Sequence, residues 1–212
     1  MHINDAWDKF WNKRGELTKR EKTPFLKNFL VMEHIINTSM PAFSGYNWKG
    51  MHVCEVGAGR ETMSDFFNAR GAVTHCCDLK DRLTHSDHYF ESCDINYETP
   101  FSKGDQKFDL VFTYGLMEHF SFDQRFSSTL RMIDMLKDGG MLIHYVVPKK
   151  WTNILEDRTV PRFDCSEYKD QMFGYGSEVW RRKDVYPVFG GTWLCDEFFS
   201  KGFFIYTVKG GS

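Results

Sequence analysis

The stretch from His52 to Glu61, His-Val-Cys-Glu-Val-Gly-Ala-Gly-Arg-Glu, constrains this chain more than any other. It reads as a short apolar strand, His52 to Val56, that ends in a tight glycine turn and passes directly into a helix. Gly57 and Gly59 lack the Cβ that would hold a ligand off the backbone. The turn therefore suits close approach of a nucleotide-like group to main-chain N–H donors.

The elements that follow alternate in the same way. A helix is expected from about Glu61 to Arg70, stopped by Gly71. Val73 to Cys77 reads as the second strand and ends in Asp78. A polar loop, Leu79 to His88, leads to a short third strand ending near Cys93-Asp94, and Phe108 to Thr113 is the fourth. Ser121-Phe122-Asp123-Gln124 matches a capping box and opens a long helix with Phe122, Phe126, Leu130, Ile133 and Leu136 on one face. That helix is expected to end at Asp138-Gly139-Gly140, before a fifth strand from Met141 to Val147. Val185–Phe189 and Phe203–Val208 are the last strand candidates. Such alternation implies a mostly parallel sheet with helices on both faces and ligands at the carboxyl ends of its strands.

At 212 residues, 42% hydrophobic and 17% aromatic, the chain suits a single domain with a sizeable core. Four parts are expected within it. Residues 1–45 form an N-terminal helical cap, 50–148 the cofactor-binding core, 149–183 a substrate cap insert that is helical or irregular, and 184–209 the terminal strands. In the cap, Ile3, Trp7, Phe10 and Trp11 share one helical face. A second helix is expected to start at Thr23-Pro24, after a polar loop from Lys13 to Lys22.

A formal net charge of −2 argues against a dedicated nucleic-acid binder. The six cysteines show no C-x-x-C spacing and read as reduced core thiols of an intracellular protein. No apolar run reaches the roughly 20 residues needed to span a membrane. The expectation is a cytoplasmic monomer or homodimer.

Which cofactor the glycine turn holds depends on its neighbours. A G-x-G-x-x-G dinucleotide fingerprint laid on Gly57 and Gly59 would need a small third residue where Thr62 stands. It would also want an apolar residue where Glu55 stands. A carboxylate there suits a ligand carrying positive charge near the turn, which the anionic pyrophosphate of NAD does not.

Glu55-Val56-Gly57-Ala58-Gly59 resembles motif I (E/D-x-G-x-G) of the class I S-adenosylmethionine-dependent methyltransferases, and the other motifs of that family follow in order. Asp78 ends the second strand, where the family places an acid on the ribose hydroxyls. Ser92-Cys93-Asp94-Ile95 resembles the adenine site, with Asp94 accepting from the exocyclic amine and Ile95 on the ring. Phe108 to His119 is similar to the fourth-strand motif of the small-molecule branch, and Leu136 to Ile143 to the turn into strand five. The resemblance covers roughly residues 50 to 148. It implies a Rossmann-like, seven-stranded, mostly parallel sheet with an antiparallel last strand. It also implies S-adenosylmethionine as cofactor, S-adenosylhomocysteine as product and a small-molecule O, N or S acceptor. The cofactor contacts it implies are Glu55, Gly57, Ala58, Gly59, Asp78, Leu79, Asp94, Ile95 and Tyr114. One departure is Glu61, behind Arg60, where the family often has a third glycine.

Methyl transfer from a sulfonium is an in-line displacement, and a base is needed only for an acceptor that must lose a proton. His119 is the base candidate; it serves equally as a helix-opening residue with local hydrogen bonds. Tyr114 could orient the acceptor. Trp7, Trp11, His144 and Trp151 are candidate substrate contacts, although His144, inside strand five, also fits a buried core histidine. His85 and His88 flank Asp87, but no third ligand is in view and no metal is expected. Two other readings share the fold: an RNA or protein methyltransferase, and a catalytically silent cofactor-binding protein.

Overall fold

Five residues, His52–Val56, form β1, and the last four of them are buried. Continuous burial marks a strand covered on both faces. Val53 joins one apolar cluster, Cys54 and Val56 the other. The same alternation runs through β4 (Phe108–Tyr114), where Leu110 and Phe112 oppose Val111. In β5 (Leu136–Val146), Met141, Ile143 and Tyr145 oppose Leu142 and Val146. The computed structural model describes residues 19–40, 47–60, 62–83, 87–146, 178–180 and 203–209.

With β2 (Val73–Asp78), β3 (Tyr89–Ser92), β6 (Glu178–Trp180) and β7 (Phe203–Val208), the strand order among the described residues is β3-β2-β1-β4-β5-β7-β6. β1 pairs in parallel with β2 and β4, β2 with β3, and β4 with β5. β7 runs antiparallel to both of its neighbours, β5 and β6. The chain winds outward from β1 to β3 and then returns to lay β4 beside β1. The winding therefore reverses between β1 and β4, and ligands of such sheets sit above that point.

Two helices, α1 (Lys19–Ser39) and α2 (Thr62–Asn68), cover the first face through Phe29, Met32, Ile35, Ile36 and Phe67. An ion pair between Glu33 of α1 and Arg70, just past the end of α2, ties them together. The Glu33 carboxylate, 4% exposed, accepts from Arg70 Nε at 2.7 Å and from Trp48 Nε1 at 3.0 Å. The Arg70 guanidinium also lies 4.4 Å above the Phe29 ring. Pairing and hydrogen bonding are what make a buried carboxylate tolerable here.

The opposite face is covered by α3 (Phe122–Asp134), and here the structure corrects the expectation. Of the expected face, Phe122, Phe126 and Leu130 lie outward, 52%, 47% and 40% exposed, while Ile133 packs against the core and Leu136, beyond the helix, is buried; Arg125, Ser128, Thr129 and Met132 are buried too. Periodicity shows that two faces differ, not which one packs. The buried polar groups find local acceptors: Ser128 Oγ donates to the Gln124 carbonyl at 2.6 Å, and Arg125 Nη1 to the Phe120 carbonyl at 2.9 Å. The capping box at Ser121 is present, with the Ser121 side chain and Gln124 reciprocally bonded.

Three boundaries also differ. α1 starts by Lys19, so the end of the expected polar loop is helical; Pro24 forfeits one helical bond in an element held by packing along Phe29 to Ile36. α3 ends at Asp134, and β5 runs back through Asp138-Gly139-Gly140. A register shift between Phe108 and Leu110 and the positive φ of Gly139, 74°, take up the irregularity there. Glu178–Trp180, inside the segment expected to be helical or irregular, is a strand. Val179 and Trp180 are strand formers and β7 offers them an edge. The helix expected over Ile3 to Trp11 and the strand expected over Val185–Phe189 lie outside the described residues.

Candidate functional site

Because β1 to β5 are parallel, the residues that follow them emerge at one edge of the sheet. The turn after β1 has Gly57 at φ 74° and Gly59 at φ 55°, the left-handed region that glycine enters without strain. Gly57 has a second constraint, since a Cβ there would sit 2.9 Å from both Leu116 methyls. The loop after β4 thus closes directly onto the turn, at the point where the winding reverses. The Gly57 and Ala58 N–H groups both donate to the Cys77 carbonyl, at 2.8 and 3.2 Å.

Asp78, the last residue of β2, ties this turn to the neighbouring strand. Its Oδ2 accepts from the Gly59 N–H at 2.8 Å and its Oδ1 from the Leu79 N–H at 2.6 Å. Arg82 Nη1 reaches Oδ1 at 3.4 Å. Burial pushes the Asp78 carboxyl above its ordinary range, and the Gly59 N–H, Arg82 and the Leu79 and Lys80 N–H groups pull it back. Beside it, the Cys93 N–H donates to the Asp78 carbonyl at 3.0 Å and Ser92 Oγ to the Leu79 carbonyl at 3.0 Å. The ends of β2 and β3 are therefore held in fixed relation.

Asp94 follows β3. Its Oδ1 accepts from both the backbone N–H and the side-chain amide of Asn96, each at 3.0 Å. Ile95 is 4% exposed and packs in the core with Cys77 and Cys93. Glu55 lies beneath the turn, 3% exposed, and its Oε2 accepts from Ser64 at the start of α2, from N–H at 3.0 Å and Oγ at 2.6 Å.

Tyr114 closes β4. Its ring stacks on Tyr145, with centroids 4.6 Å apart and planes at 14°, and lies 5.3 Å from Phe25 of α1. Its hydroxyl accepts from the Asn28 side-chain amide at 2.6 Å. Glu118 and His119 lie in the 3-10 turn Met117–His119, and both are buried. His144 is wholly buried; its Nδ1 is 2.8 Å from Thr113 Oγ1, and burial lowers its pKa to about 3. It is a core histidine with no surface to offer a substrate. His88 Nε2 lies 3.1 Å from Asp65 Oδ1 and Nδ1 2.6 Å from Thr74 Oγ1. Trp7, Trp11 and Trp151 lie outside the described residues.

Of the expected contacts, Gly57, Asp78, Leu79, Asp94 and Tyr114 keep exposed surface at this edge; Glu55, Ala58, Gly59, Ile95 and His119 are buried. Four participants were not expected. Arg82 follows Asp78 by four residues, a charge spacing readable in the sequence. Ser64, Leu116 and Asn28 carry no local signal and appear only once the elements pack.

No protein-family model and no curated protein matches the chain in sequence. Solved structures do match. The 1,6-didemethyltoxoflavin-N1-methyltransferase of Burkholderia thailandensis, with 1,6-didemethyltoxoflavin and S-adenosylhomocysteine bound, aligns at a TM-score of 0.64 and 12% identity over 99% of this chain and 87% of that one. The N-methyltransferase NodS of Bradyrhizobium japonicum, with S-adenosylhomocysteine, aligns at 0.64 and 10% over 99% of each chain. The magnesium protoporphyrin IX methyltransferase of Synechocystis PCC 6803, with S-adenosylmethionine, aligns at 0.59 and 14% over 97% of this chain and 90% of that one. This chain has the Rossmann-like α/β fold of these methyltransferases.

Proposed function

We propose that the protein is an S-adenosylmethionine-dependent methyltransferase acting on a small-molecule O, N or S acceptor. One observation carries the reading. The Asp78 carboxylate, at the end of β2, is bonded to the Gly59 N–H of the glycine turn at the point where the sheet reverses. A nucleoside with two vicinal hydroxyls fits such a carboxylate, which offers acceptors on two oxygens. The structural neighbours with that cofactor or its product bound support the same choice. The complete fold in this reading is a seven-stranded sheet capped by residues 1–45 and by the part of 149–183 that precedes β6.

When bound, S-adenosylmethionine supplies a methyl group already activated by its sulfonium. Asp78 would hold the ribose, Asp94 would accept from the adenine amine, and Leu79 and Ile95 would line the adenine site. Glu55 acts on the turn through Ser64. Tyr114, the last residue of β4, would orient the acceptor toward the methyl group. His119 takes the proton of a hydroxyl acceptor; a neutral amine or a thiolate needs no base in the transfer step.

Calorimetry on the purified protein tests this directly. Binding of S-adenosylmethionine and S-adenosylhomocysteine, with none of NAD, is expected. Tight NAD binding without either adenosyl ligand would overturn the proposal.

A further inference from the structure

The Asp78 carboxylate is already crowded. Oδ2 takes the Gly59 N–H; Oδ1 takes the Leu79 N–H at 2.6 Å and Arg82 Nη1 at 3.4 Å. A carboxylate has about four acceptor positions, so these three donors leave about one open. Two of them are backbone amides fixed by the course of the chain. Arg82 is the side chain among them, and its bond is longer than those from Gly59 and Leu79. Its side chain is 14% exposed and that of Asp78 15%. The guanidinium thus lies over the acid instead of extending into solvent.

We infer that Arg82 is a built-in competitor for the ribose-binding carboxylate, displaced when the cofactor binds. This rests on Asp78 being the ribose acceptor. Two vicinal hydroxyls need acceptor positions on Asp78, and the donor that can leave is the one on a flexible stem. Binding exchanges an ion pair for hydroxyl bonds, so Arg82 sets the affinity for the nucleoside although it makes no lasting contact with it.

The exchange predicts two effects with unusual signs. Removing the guanidinium tightens binding, by about three- to fivefold for an ion pair of this length and exposure. Raising salt from about 0.05 to 0.5 M screens the pair and tightens binding in the wild type, but leaves a variant without the charge unaffected.

The test is calorimetric titration of S-adenosylhomocysteine into the wild type, Arg82→Met and Arg82→Lys at both salt concentrations. Tighter binding by Arg82→Met, with the salt effect kept in the wild type and Arg82→Lys, is expected. Equal or weaker binding by Arg82→Met, with the wild type binding normally, overturns the exchange and leaves the cofactor assignment intact. A wild-type affinity that falls or stays level with salt overturns it without any variant. No binding by the wild type overturns the cofactor assignment itself, and this inference with it.

Discussion

The Glu55 carboxylate on β1 accepts two hydrogen bonds from Ser64 on α2, one from the backbone N–H at 3.0 Å and one from the hydroxyl at 2.6 Å. Both partners are buried, Glu55 at 3% and Ser64 at 0% exposure. The motif acid therefore fixes the angle at which the helix leaves the glycine turn. Glu55→Ala leaves a buried N–H and hydroxyl without their acceptor and is expected to cost about 2–3 kcal/mol. Glu55→Gln keeps an acceptor oxygen and costs about 1 kcal/mol. Urea unfolding measures both. If the acid acts only through Ser64, Glu55→Gln binds S-adenosylhomocysteine within about threefold of the wild type, less than one charged hydrogen bond is worth. A folded Glu55→Gln that has lost binding would put Glu55 in direct contact with the cofactor.

Asp78 braces the turn through the Gly59 N–H, and in the proposed function it also receives the ribose. Asp78→Asn preserves an acceptor but removes the charge. It is expected to weaken cofactor binding by about 1.5–3 kcal/mol, the range for hydrogen bonds to a charged group. Calorimetry at one salt concentration decides it, and unchanged affinity would remove Asp78 from the ribose.

Much of this frame is legible in the sequence because backbone and period dictate it. Gly57 and Gly59 announce the turn, and the apolar runs before Asp78 and before Tyr114 announce buried strands. What is not legible is direction and partnership. The two faces of α3 differ clearly, yet only packing shows that the Ser128 and Met132 face is inward, with Ser128 Oγ and Arg125 Nη1 donating to carbonyls of the helix and its leading turn. Nothing in the sequence joins Glu55 to Ser64, nine residues on, whose hydroxyl donates to the Glu55 carboxylate. Asn28 and Tyr114 are 86 residues apart, and no local pattern joins them.

That reversal of α3 is measurable. Phe126 is 47% exposed and Met132 fully buried. Phe126→Gln is expected to change stability by no more than about 0.5–1 kcal/mol, as for a surface site, whereas Met132→Ala costs about 2–4 kcal/mol from the cavity it opens. Denaturation midpoints in the opposite order would return the Phe122, Phe126 and Leu130 face to the core.

The glycine pair before the buried half of β5 offers a second contrast. A Cβ on Gly140 would meet the carbonyl oxygens of Lys137 and Phe108 at 2.9 Å and that of Asp109 at 3.3 Å, all backbone atoms that cannot swing aside. Gly139 has open space around it and pays only for its positive φ of 74°. Gly140→Ala is expected to lose about 2–3 kcal/mol and Gly139→Ala about 1 kcal/mol. Equal losses would mean that the strand entry relaxes around the added methyl.

Two buried histidines set the response to acid. His75 lies between Tyr89, stacked at 4.9 Å, and the ring edges of Phe101 and Phe108, with His52 Nδ1 3.2 Å from its Nε2. Burial first, and His52 second, lower its pKa from 6.5 to about 4; burial alone lowers that of His144 from 6.5 to about 3. The sign follows from the unfolded chain binding the proton first. Above pH 6.5 both histidines are neutral in either state and the full stability is present. Between 6.5 and about 4 for His75, or about 3 for His144, the unfolded state gains protons that the folded state refuses, so stability falls with falling pH. His75→Phe fills the same aromatic box without a titrating group. Urea unfolding at pH 7.5 and 5 should therefore show a smaller acid loss in His75→Phe than in the wild type. Parallel losses in the two proteins would mean that His75 stays as easily protonated folded as unfolded.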